Sequence, residues 1–172
     1  MVDLREKYRE LKVYIESMPP LVAAFVIMII VTIPLDILSV YWGWVNKAEL
    51  EALRNLIRQS SLKEIAFSTL VYAPLLEEFM YRGPVRLLVL FFPNVTTKNL
   101  IAWLIILAPT FYWAMIAGGG GHGIPLDALA IGIICGWAVV ETKTLESAIA
   151  LHIFYNALNL VGVLIRYRFL SL

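Results

Sequence analysis

The chain has 172 residues, of which 60% are hydrophobic and only 16% charged, and its mean hydropathy is +0.79. A soluble domain carries about 25% charged residues, so most of this chain is expected in lipid, as one integral membrane domain over 1–172 with membrane lipids as its surroundings. A net charge of +1 offers no cluster of Lys and Arg for a phosphate backbone, which excludes nucleic acid as an expected partner, and the single cysteine, Cys135 in an apolar run, excludes an internal disulfide and reads as core filler.

Residues 3–18 place Leu4, Tyr8, Leu11 and Ile15 on one helical face with charges elsewhere, the pattern of an amphipathic helix lying on a membrane surface. They lack the short basic start and cleavage site of a secretory signal. Pro19 and Pro20 end that helix. Leu21 to about Val45 is apolar for long enough to cross about 30 Å of hydrocarbon, interrupted by Pro34 and Asp36. Residues 47–60 repeat the amphipathic pattern through Leu50, Leu53, Leu56 and Ile57, giving a second interfacial helix. The second span, Ile65 to Phe92, contains Glu77, Glu78, Arg82 and Arg86, with Gly83 and Pro84 as a predicted kink. A third follows from Leu100 to Ala117, ended by the run Gly118 to Gly121 and His122. A fourth covers Leu126 to Val140, with Asp127 as a predicted cap, and a fifth Leu145 to about Ile165. The fold class expected is all-α: a multi-pass transmembrane helical bundle of about five spans, sited in the cell membrane. Lys and Arg divide evenly between the two sides, so the positive-inside rule assigns no orientation.

Charged side chains at mid-bilayer cost about 2.5 to 3.5 kcal/mol each, so Glu77, Glu78 and Arg82 need partners or a wet cavity. Glu78 and Arg82 are four residues apart and share a face, which allows an ion pair. Glu77 points about 100° away and has no partner on its own helix. A free carboxylate in an apolar site suits a general base that takes a proton from water and returns it to a leaving amine. In the fifth span His152, Asn156 and Asn159 fall on one face, a polar stripe that must turn inward. His122, beside its four glycines, completes the set of candidate residues.

With these residues in view, the chain resembles the CAAX protease and bacteriocin-processing family of intramembrane peptidases. That family carries Glu-Glu-x-x-x-Arg, Phe-x-x-x-His and His-x-x-x-Asn motifs on membrane helices. The first is present as Glu77, Glu78 and Arg82, and the third as His152 and Asn156. At the second, His122 is present and Gly118 stands where the family has Phe. The resemblance covers a peptidase-like core of about 65–165. It implies that Glu77 and His122 prepare a water, that His152 and Asn156 stabilise the oxyanion, and that Glu78 with Arg82 orients the site, with no cofactor. The substrate implied is a peptide or lipidated protein at the membrane, such as a prenylated CAAX-type end. Three alternatives stay open at this stage. Glu77, His122 and His152 form a zinc-type ligand set, the pocket suits a non-catalytic scaffold or immunity protein that binds membrane peptides, and buried Glu, Arg and His also suit a proton-coupled carrier.

Overall fold

The computed structural model describes residues 4–41, 55, 59–117 and 126–170, and these are all-α, with no strand among them. Helix α1, Leu4–Ser17, carries the amphipathic pattern at the amino end. Pro20 opens α2, Pro20–Tyr41, at the first helical position, where its missing N–H costs nothing. Most of the second amphipathic segment, 47–60, lies outside the described residues, as do His122 and its glycines.

The second expected span, which carries Glu77, Glu78 and Arg82, is built as one helical rod in three parts. It begins at α3, Leu62–Phe67, with a reciprocal cap: the Glu64 N–H donates to Ser61 Oγ at 3.2 Å and the Ser61 N–H donates to Glu64 Oε2 at 2.7 Å. A π-helical turn, Ser68–Tyr72, follows, and then α4, Ala73–Phe91, which runs unbroken through Gly83 and Pro84. Helix α5 is Leu100–Ala117, α6 is Leu126–Thr142 and α7 is Glu146–Leu170.

Helix α6 is the axis of the bundle, packing on α2, α4, α5 and α7. Its sequence explains why: Ala128, Gly132, Gly136 and Ala138 are small and buried, so neighbouring helices approach closely. A Cβ on Gly136 would stand 2.7 Å from Ile106 Cγ2 of α5. Cys135 is fully buried in this core with Met28, Ile106, Ile131 and Leu151, as a core filler should be. At one end the turn between α6 and α7, where Lys143 takes a positive φ of 61°, is tied to the loop after α4. Glu141 accepts from the Thr97 N–H and hydroxyl, and Lys143 Nζ donates to the Val95 carbonyl at 2.6 Å.

Around this apolar core two charged side chains are buried and large apolar ones stand outside. Glu78 and Arg82 are each 1% exposed, whereas Phe79 is 71% and Phe91 77% exposed. Among the described residues no helix is long and apolar enough to cross a membrane. Residues 42–45 of the first expected span lie outside the described residues.

Candidate functional site

The site forms where α4 and α7 face each other. On α4 the one-turn spacing of Glu78 and Arg82 brings Arg82 Nε to 3.4 Å from Glu78 Oε2. Across the gap, His152 Nδ1 lies 2.7 Å from Glu78 Oε1. An ionised carboxylate only accepts, so this bond requires the proton on Nδ1 and leaves Nε2 turned to the other side of the ring. On that side stands Glu77, whose Oε2 is 3.8 Å from Nε2, beyond hydrogen-bond length. The two glutamates therefore differ in kind. Glu78 is sealed between a guanidinium and an imidazole, while the Glu77 side chain is 30% exposed.

Arg82 is held less by hydrogen bonds than by its surroundings. None of its three side-chain nitrogens has a hydrogen-bond partner among the described residues. Its guanidinium carbon sits 5.3 Å from the centroid of Trp113 on α5, in cation–π range. Nη2 lies 2.5 Å from where a Cβ on Gly132 would stand, and the Thr110 methyl lies 2.6 Å from the same point, so the absence of a side chain at Gly132 makes the room for both. The Trp113 ring also meets His152 edge-on at 5.9 Å. One indole thus bounds both the cation and the imidazole.

Asn156, one turn beyond His152, donates from Nδ2 to the backbone carbonyl of Thr69 at 2.9 Å. That acceptor exists because of the π-helical turn. In an α-helix the Thr69 carbonyl takes the N–H of Ala73, but here the Ala73 N–H goes to Ser68 O. A continuing π-turn would offer the N–H of residue 74, and residue 74 is proline. The Thr69 carbonyl has lost both donors and is met by Asn156 instead.

The structure therefore brings together Glu77, Glu78, Arg82 and His152, with Asn156 alongside; His122 lies outside the described residues. The zinc-type set contains His122, and among the described residues no three His, Cys, Asp or Glu side chains are gathered as a metal would need. Asp127 lies in the first turn of α6, at the end where a cap is expected. Its Oδ2 accepts the Tyr155 hydroxyl at 2.9 Å, a link to α7. Sequence reasoning gave no role at the site to Trp113, Gly132 or the Thr69 carbonyl.

A family model described as type II CAAX prenyl endopeptidase Rce1-like matches residues 60–158. That stretch runs from the start of the α3 rod to just past Asn156 and makes up more than half of the 172 residues. No curated protein and no solved structure matches the chain.

Proposed function

Because the chain belongs to the type II CAAX prenyl endopeptidase Rce1-like family, a family of membrane proteases, we propose that it is a multi-pass endopeptidase that hydrolyses a peptide bond near the carboxyl end of a prenylated, CAAX-type substrate. The observation that carries this reading is the unequal pair of glutamates. Glu77 is open enough to hold a water and faces His152 Nε2 at 3.8 Å, while Glu78 is spent on holding His152 and Arg82.

In this mechanism Glu77 takes a proton from the water as it attacks the scissile carbonyl, and His122 helps to hold that water. The developing oxyanion is met by the Asn156 N–H not given to Thr69, since an amide nitrogen carries two, and by His152 Nε2 when the ring is doubly protonated, the form in which both of its nitrogens donate. Glu77 then returns its proton to the leaving amine. Donors fixed in advance in a dry site are the strongest stabilisers of such an oxyanion, because they need no reorganisation when charge appears. Glu78 keeps the His152 ring in one orientation, and Arg82 balances the Glu78 charge. No metal takes part.

The membrane setting is supported by the surface. Phe67, Phe79, Phe91, Leu100, Ile101 and Leu104 project outward from α3, α4 and α5, an apolar coat that water would not favour. Lipid-facing helices around a buried polar cluster also give a prenylated substrate a lateral way in from the bilayer.

The test is cleavage of a panel of prenylated and unprenylated peptides by purified protein, beside Glu77→Ala, with and without a chelator. The proposal expects prenylated peptides to be cut, the variant to be inactive and the chelator to have no effect. Loss with chelator would move the site to the zinc-type set, and folded protein that cuts nothing would point to a scaffold.

A further inference from the structure

Pro74 belongs to none of the three motifs, yet it sits at the junction of the π-helical turn and α4, three residues before Glu77. A proline in a helix has no N–H to give and normally wastes a carbonyl one turn back. In this rod the loss is put to use. With the Ala73 N–H diverted to Ser68 O and no N–H at 74, the Thr69 carbonyl is free to accept from Asn156 at 2.9 Å, across 87 residues of chain. π-turns of this kind recur at functional sites because they re-aim backbone groups.

We infer that Pro74 is a positioning residue: it sustains the π-turn whose released Thr69 carbonyl fixes the Asn156 amide, so that the second Nδ2–H is aimed at the reacting carbonyl. This rests on the oxyanion role proposed for Asn156. Without that anchor the amide rotates about its terminal torsion, which is soft, and its donor is no longer fixed before the reaction begins.

Pro74→Ala separates this role from simple packing, because the two predict opposite signs. Restoring an N–H lets the rod relax toward α-helix, where the Ala73 N–H reclaims the Thr69 carbonyl. Thermal stability is then unchanged or higher, while kcat falls about ten- to hundredfold and KM stays nearly constant. In an Asn156→Ala background the same substitution lowers kcat no further. An equal fold-loss in both backgrounds, or an unchanged kcat in the single variant, overturns the inference. A readout independent of cleavage is the side-chain amide of Asn156 in protein labelled with 15N-asparagine, assigned by its loss in Asn156→Ala. One amide proton protected from exchange in the wild type, and exposed in Pro74→Ala, supports the inference; two freely exchanging protons in the wild type refute it. If the wild type cleaves no peptide, the peptidase reading fails while these amide signals still decide whether Pro74 positions Asn156.

Discussion

Gly132→Ala is the most exacting test of how the buried cation is housed. The added methyl would stand 2.5 Å from Arg82 Nη2 and 2.6 Å from Thr110 Cγ2, where ordinary contacts are about 1 Å longer. Thr110 cannot easily yield, because its hydroxyl is bonded to the Ile106 carbonyl at 2.7 Å and its χ1 is stiff. Arg82 must therefore move, and it has a buried carboxylate on one side and Trp113 against its face. Overpacking of this kind costs about 1 to 3 kcal/mol, a fall of about 2 to 12 °C in thermal midpoint for a chain of this size. A shift of about 1 Å passed through Glu78 to His152 lowers the cleavage rate about a hundredfold. Thermal unfolding in detergent reads the first effect and peptide cleavage the second. Adding Thr110→Ala to Gly132→Ala removes one of the two clashes and recovers part of both losses. Wild-type stability and activity in Gly132→Ala would show that Arg82 is not confined as described.

Other perturbations act on the same network. Glu78→Gln strands the buried Arg82 charge and is expected to cost about 3 to 5 kcal/mol; combining it with Arg82→Met restores most of the stability and none of the activity, as read by unfolding and cleavage in parallel. Asn156→Ala loses the bond to Thr69, about 1 kcal/mol of stability, and lowers kcat about 10²- to 10³-fold with little change in KM. At the start of α3 the Ser61 backbone N–H and then its hydroxyl hold the exposed Glu64 carboxyl below its ordinary value. The cap therefore contributes above about pH 4.3 and is lost as the pH falls through the lowered value, which hydrogen exchange of the first α3 amides, followed downward from that pH, should report.

Much of this was legible in the chain. The i,i+4 pairing of Glu78 with Arg82, the turning of Glu77 away from that pair and the shared face of His152 and Asn156 all follow from helical spacing, because each concerns residues within one helix. The ranges of α5 and α6 follow closely from apolar runs closed by glycine or polar turns, while α7 runs on to Leu170, past the expected end near Ile165. What stayed hidden depends on partners far apart in sequence. Nothing in an apolar run distinguishes Trp113 from its neighbours until the Arg82 and His152 side chains arrive at its ring. The link from Tyr155 to Asp127 is set by the crossing of α6 and α7. The π-turn is hidden for another reason. Hydrophobic periodicity is blind to one added residue per turn, so Pro74 looks like an ordinary member of a span until the Thr69 carbonyl is followed to Asn156.

The central claim is that Glu77, and not its sealed neighbour, activates the water. Its most direct test is the rate of tripeptide release from a prenylated CAAX-type peptide by wild type and Glu77→Gln in the same vesicles, with equal thermal midpoints confirming that both are folded. The account predicts release by the wild type and a fall of several orders of magnitude in the variant. Equal rates from the two proteins would contradict it.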